Sequence, residues 1–433
     1  MSNFERAEEL NKIGKWDQAL PYAERAVSDD RQWAGNWCLL GWTLHELGRY
    51  RESLSAVDEA LRLSPDSEWA HRTRSATLAK LGRRTDALAA AREAVRQAPN
   101  EWRAWSTLAT TAYSLGYPAD ARKAAERSVK LAPGQAFPWV TLSYVCLDDE
   151  WEDAADAALR ALRLEPENAS ALNNLGWARF RQGRYSEARD VFDRGIAIRP
   201  GHTTLVINRA MATIYLDGLE TGDAEYARAQ TLRLSLADKQ LRDDPANVGA
   251  YITRSSVLRL RDGDHVAAFE AARRAVAADP RSATAWSALD DAAASLDRWR
   301  LARYAARRAV RAEPSAPGRW LGAAFTAHYA GLPDEARRWA RRVVEEAPDS
   351  IRANRASALL ALLDGDPAQA RDLSFQDLQR YGESCCVRMF ILRCSLELSD
   401  IAGAREALDR AEHWRPRCHC FVRTRYERIL AGS

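Results

Sequence analysis

Proline punctuates this chain at nearly constant intervals, at Pro65, Pro99, Pro133, Pro166 and Pro200, then at Pro245, Pro280, Pro314, Pro348 and Pro416. The successive gaps are 34, 34, 33, 34, 45, 35, 34, 34 and 68 residues, the last being two periods. Proline fixes φ and removes a backbone N–H, so it stops a helix. One stop per period therefore implies a two-helix unit repeated along almost the whole chain. A fold of stacked helix pairs is required before any single residue is interpreted.

The segment Ala169 to Pro200 displays one unit in full. Leu172, Leu175, Gly176 and Trp177 fall on a first helix, Gln182-Gly183-Arg184-Tyr185 on a turn, and Ala188, Phe192 and Gly195 on a second helix. Other copies carry Trp37, Leu40, Gly41, Gly48, Tyr50, Ala60 and Pro65; Trp105, Leu108, Gly116, Ala121, Ala125 and Pro133; and Trp286, Leu289, Trp299, Ala302, Ala306, Ala309 and Pro314. This pattern resembles the tetratricopeptide repeat. The resemblance implies an all-α, right-handed superhelical solenoid of about twelve helix-turn-helix repeats over residues 3–416, closed by a capping helix over 417–433. It also implies that first helices line a concave face that holds peptides, and that each unit contacts only its neighbours.

Composition narrows the function. The N-terminus, MSNFERAEEL, is charged within five residues, and no apolar run approaches the ~18 residues of a membrane span, so a cytoplasmic protein is expected. Net charge is +3, divided as 33 basic and 36 acidic residues up to position 245 and 30 and 24 beyond it. Only six of the 63 basic residues are lysine, a skew typical of GC-rich bacterial coding. There is no glycine-rich phosphate loop, no H-E-x-x-H and no nucleophile elbow, so no catalysis and no cofactor are expected.

Departures from the period divide the chain into repeats 1–6 (1–200), an enlarged repeat 7 (201–245) and repeats 8–12 (246–416). In repeat 7 the stretch Asp217-Gly218-Leu219-Glu220-Thr221-Gly222-Asp223 reads as an enlarged loop, followed by a helix of 20 residues to Arg242. In repeat 11 Gly382 takes over as the helix stop where proline is missing.

By the resemblance, the inward positions are Trp42, His45, Tyr113, Tyr144, Trp177, Phe180, Phe325 and His328, joined by the amides of Asn173, Asn174 and Asn208. Rings bury apolar side chains and amides offer both a donor and an acceptor, a combination that suits an extended peptide or a partner protein. No lysine accompanies these asparagines, so the carboxylate clamp of some family members is not expected. A second candidate surface is a row of paired arginines 34 residues apart: Arg273-Arg274, Arg307-Arg308 and Arg341-Arg342. Spaced by about 10 Å across stacked helices, such a row could meet an acidic partner or, less readily, nucleic acid. Presentation of a peptide substrate to a modifying enzyme is a further reading. Late cysteines, Cys385, Cys386, Cys418 and Cys420, would lie at one end of adjacent helices, but neither C-C nor C-x-C is the usual zinc knuckle, so no metal is assigned.

Overall fold

The computed structural model describes residues 1–412 apart from 149, 218, 349 and 382–384. Among these residues there are twenty-four α-helices, from α1 (Asn3–Lys12) to α24 (Ile401–Glu412), and no strand. They form twelve antiparallel pairs in chain order, one pair per proline period. The expected capping helix over 417–433 lies outside the described residues.

Three devices repeat with the period. The turn inside most pairs places a residue in the left-handed region, glycine at Gly14, Gly48, Gly82, Gly116, Gly183, Gly263, Gly331 and Gly365, and Asp297 and Ser399 at two equivalent positions. Between pairs, a first-helix tryptophan donates its indole N–H to the carbonyl six residues back. Trp105, Trp139, Trp286 and Trp320 reach Pro99, Pro133, Pro280 and Pro314 at 2.8–3.0 Å, and Trp37 reaches Arg31 at 2.9 Å. A carbonyl left without a helical donor is thereby satisfied, and the turn is tied to the next helix. Within each pair, small residues set the separation: a Cβ on Gly176 would sit 2.4 Å from the fully buried Phe192 ring, and one on Gly41 2.5 Å from Val57.

The irregular spacings have local solutions. The 45-residue gap is absorbed by one long helix, α14 (Leu219–Asp243, 25 residues), which follows α13 (Thr203–Asp217) directly. The enlarged loop expected over 217–223 is therefore helical from Leu219 onward. Gly222 explains this: its Cα faces Ile214 so closely that a Cβ would lie 2.1 Å from Ile214 Cγ1, a helix-packing glycine rather than a loop glycine. The 35-residue gap is absorbed by a π-helical turn, Leu258–Asp262, at the end of α15 (Val248–Val257). One inserted residue is what a π turn accommodates.

Successive first helices touch: α5 (Glu68–Lys80), α7 (Trp102–Leu115), α9 (Ala136–Val145), α11 (Ala169–Arg181) and α13 are in contact in series. Successive second helices do not pack comparably among the described residues, so the stack curves with first helices on its inner face.

The curvature brings the chain back onto itself. Turns of repeats 2–4 meet the starts of first helices in repeats 8–10. Asn247 donates to the Gly48 carbonyl at 3.2 Å and Tyr117 donates to the Ser315 carbonyl, across 199 and 198 residues. Gly82 faces Ser282 and Thr284 so closely that a Cβ would fall 2.4 Å from Ser282 Oγ. The Arg84 backbone N–H donates to Glu313 Oε1 at 3.2 Å, and Glu313 Oε2 accepts from Arg319 Nε at 2.7 Å. Leu81 shares a core with Val248, Ala275 and Ala285, and Ala316 joins the core of repeats 3–6. Contacts are thus not confined to neighbouring units: the turns of the superhelix stack along a seam.

Candidate functional site

The inner face is built by α3 (Ala34–Glu46), α7, α9, α11 and α13 in the N-terminal half. Of the aromatic positions there, Tyr144 is 40% exposed, while Trp42, Tyr113 and Trp177 are half-buried. Tyr113 and Tyr144 meet edge to face at 4.9 Å, pairing adjacent first helices. Trp42 stacks on His45 at 5.5 Å, and Trp177 on Phe180 at 5.1 Å. In each pair the tryptophan presents the outer ring and its partner lies beneath.

Those partners belong to the wall. His45 is 8% exposed, its Nδ1 3.1 Å from Thr77 Oγ1, and burial lowers its pKa to about 4. Phe180 is buried among Tyr185 and Tyr215, with ring centroids 5.2 Å away in both cases. Asn174 donates to the Val140 carbonyl at 3.2 Å and Asn208 to Asn173 Oδ1 at 3.0 Å, both amides being buried. Position on a first helix put all four on the inner layer, but their side chains point between repeats. Asn173, half-buried, is the amide of the three nearest the surface.

Farther on, Phe325 and His328 lie on α19 (Pro317–Tyr329). Phe325 meets Phe390 of α23 (Cys385–Glu397) edge to face at 5.8 Å. Burial lowers the His328 pKa to about 4, and its Nε2 has no hydrogen-bond partner among the described residues. Close by, Asp290 accepts from the Thr326 hydroxyl at 3.0 Å, and burial raises its pKa well above the carboxylate range. No group of three His, Cys, Asp or Glu side chains suited to a metal occurs among the described residues.

The arginine row is present on second helices and is largely neutralised. Arg273 and Arg274 both pair with Glu270, at 2.9 and 3.5 Å. Arg307 and Arg303 hold the buried Glu335 at 2.7 Å each; burial pushes that carboxylate up, but the two arginines outweigh it and keep its pKa low. Arg308 lies over Trp286 at 5.0 Å, and Arg342 over Trp320 at 4.3 Å while pairing with Glu346. Arg308 and Arg341 make no ion pair among the described residues, Arg308 lying instead on the Trp286 ring. The 34-residue register thus reflects a cation stacked on the preceding repeat tryptophan, with Arg160 over Trp139 as an earlier instance at 4.9 Å. Of the late cysteines, Cys386 is exposed; the Cys385 side chain, Cys418 and Cys420 lie outside the described residues.

The seam residues Arg84, Tyr117, Glu313, Arg319 and Arg352 were not singled out by the spacing. Nothing local marks them, since the surfaces they join lie about six repeats apart. Around a cavity between α19, α21 (Ile351–Leu363), α22 (Pro367–Tyr381) and α23, the spacing marked Phe325 and Cys386 but not the Arg355–Asp377 pair.

The tetratricopeptide repeat family model matches residues 4–68, 76–136 and 148–203. No curated protein matches the sequence. Among solved structures, YrrB, described as a TPR protein with an unusual peptide-binding site, is 17% identical, covering 42% of this chain and 95% of its own, at a TM-score of 0.31. TTC0263, a thermophilic TPR protein in Thermus thermophilus, is 23% identical over 42% of this chain and 99% of its own, at 0.39. Yeast Tom70 is 14% identical over 99% and 94%, at 0.39. Repeats of this kind generally mediate binding to proteins or peptides, and no helix among the described residues is long and apolar enough to cross a membrane. The matched segments are tetratricopeptide repeats, and the same alternation of paired helices continues beyond them to Glu412.

Proposed function

We propose that this protein is a non-catalytic adaptor or scaffold that holds an extended peptide, or a segment of a partner protein, against its inner face. The observation that carries this reading is the layered inner surface of repeats 2–7. Trp42, Tyr113, Tyr144 and Trp177 keep ring surface exposed, while His45, Phe180, Asn174 and Asn208 beneath them are fixed by hydrogen bonds and ring contacts. Rings held in place before binding lose little freedom on binding, which favours recognition of a flexible segment. A cytoplasmic location and a role in presenting a peptide to a modifying enzyme are compatible with that surface. An acidic partner on the arginine row has less support, because Glu270, Glu335 and Glu346 already occupy most of its cations.

The test is affinity capture from native lysate with the unaltered protein, Tyr144→Ala and Trp177→Ala, each variant checked for unaltered thermal unfolding. Loss of the same captured species with both folded variants supports the inner face. Capture unchanged by either substitution refutes it.

A further inference from the structure

The inner edge of the seam gathers more positive charge than it pairs. Arg319 is matched by Glu313 at 2.7 Å, and Arg355 by Asp377 at 3.0 Å. Arg84 and Arg352 have no such match: neither guanidinium makes an ion pair or a hydrogen bond among the described residues. Arg352, in the first turn of α21, reaches over α19 to the turn of repeat 4. A Cβ on Gly318 would lie 2.9 Å from its Nε, and one on Gly116 2.5 Å from its Nη1, so two glycines clear the path of this side chain. Glu313 ties the Arg84 backbone to Arg319, and the three arginines thus converge from repeats 3, 10 and 11. Tyr144 of repeat 5 is exposed at the same place, within electrostatic reach of Arg84, and its hydroxyl has no hydrogen-bond partner among the described residues.

Burial lowers the pKa of both Arg84 and Arg352, and neighbouring arginines add to it; Asp148 draws Arg352 the other way without forming an ion pair. Charges withdrawn from water without a counterion are costly, and such groups in folded proteins are usually met by a partner or a bound ion. Both side chains are only half-buried and none of their nitrogens is sealed off, so a ligand on the inner face can reach them. Two unpaired guanidiniums call for two negative charges, and together with the Tyr144 hydroxyl they present three separate donor groups. A carboxylate brings one charge on two oxygens. A phosphate monoester brings about −1.5 to −2 on three terminal oxygens, and the planar fork of arginine pairs with it well.

We propose that Arg84, Arg352 and Tyr144 form a binding site for a phosphate dianion, which bridges repeats 3, 5 and 11 and so clips two turns of the superhelix together. A phosphorylated side chain of a segment on the inner face and free phosphate offer the same chemistry. The first source rests on the inner-face reading; the site itself does not.

The experiment is calorimetric titration of the full chain, at fixed ionic strength, with N-acetyl-O-phosphoserine methylamide, inorganic phosphate and N-acetyl-glutamate methylamide. The variants are Arg84→Gln, Arg352→Gln and Tyr144→Phe. Removing an unpaired cation relieves repulsion, so both arginine variants should unfold at the same temperature as the unaltered protein or higher in phosphate-free buffer. That separates lost binding from lost folding. The expected result is saturable binding of the phosphoserine probe and at least roughly tenfold weaker binding of the glutamate probe. Either arginine variant should lose at least roughly tenfold in affinity, and Tyr144→Phe a smaller factor. Equal affinity for the phosphoserine and glutamate probes overturns the phosphate assignment. No saturable binding, or binding unchanged by Arg352→Gln, overturns the site. Capture from lysate that is lost on phosphatase treatment and with Arg352→Gln assigns the dianion to a partner segment; capture indifferent to both, with inorganic phosphate bound as tightly as the phosphoserine probe, assigns it to the free ion. Absent probe binding alongside capture lost with Trp177→Ala would refute this site and leave the inner-face reading standing.

Discussion

Glu313→Ala should open the seam between superhelical turns. The Glu313 carboxylate is 1% exposed and serves two partners: Arg319 Nε at 2.7 Å and the Arg84 backbone N–H at 3.2 Å. Arg84 is the first residue of α6 (Arg84–Gln97), so its N–H has no acceptor within its own helix. Alanine leaves the Arg319 guanidinium, 13% exposed, beside Arg84 and Arg352, whose own pKa values are already lowered by burial with neighbouring arginines adding to it. Removing one member of a buried pair costs about 3–5 kcal/mol. Arg319 retains Ser287 and Thr284 as acceptors at 2.7 and 3.2 Å, which places the expected loss near the lower end of that range. Because the bonds lost are those to the Arg84 backbone and to Arg319, the loss should be confined to the seam. Hydrogen exchange followed by mass spectrometry should show faster exchange at residues 82–88 and 315–320, with repeats 5–6 unchanged, and urea unfolding should show an early transition. A folded Glu313→Ala protein with unaltered exchange at Arg84, or a stability change under about 0.5 kcal/mol, would refute the seam.

Other predictions follow from the repeat's own devices. His45, held neutral by burial to about pH 4, should titrate far below free histidine in an NMR titration. Between pH 6.5 and 4 the unfolded chain takes up that proton and the folded chain does not, so stability should fall as pH falls through this window. The total is up to about 3 kcal/mol, and His45→Gln should flatten the corresponding part of the urea-midpoint profile. Trp286→Phe keeps the ring but deletes the N–H to the Pro280 carbonyl, and should cost about 1 kcal/mol by urea unfolding. Gly176→Ala places a methyl 2.4 Å from the buried Phe192 ring and should destabilise by about 1–3 kcal/mol despite alanine's better helix propensity.

What could be read from sequence was whatever repeats. Pro99, Pro133 and Pro314 mark helix ends that the structure places within a residue or two, because a missing N–H acts locally and identically in every unit. First-helix residence of Trp177 and Asn173 followed from phase alone. Phase does not decide rotation about the helix axis finely enough to separate Trp177, half-buried, from Phe180, which turns into the Tyr185–Tyr215 cluster. Gly222 misled because glycine serves both loops and close helix contacts, and only the neighbouring helix tells them apart. The arginine register was correctly read as periodic and differently explained: Arg308 and Arg342 repeat because the tryptophans they cover repeat. Glu313 and Arg84 were invisible for the opposite reason, since their partnership spans 229 residues and depends on the superhelical rise.

The central claim is that the partner is held on the inner face and not on the outer arginine row. Site-specific photo-crosslinking tests it directly, with a benzophenone amino acid placed at Tyr144 on α9 in one protein and at Arg341 on α20 (Pro333–Glu346) in another. The account predicts a discrete partner adduct from position 144, retained at 0.5 M salt because ring contacts are not screened at roughly the 3–10 Å Debye lengths involved, and none from position 341. An adduct formed from position 341 alone would contradict it.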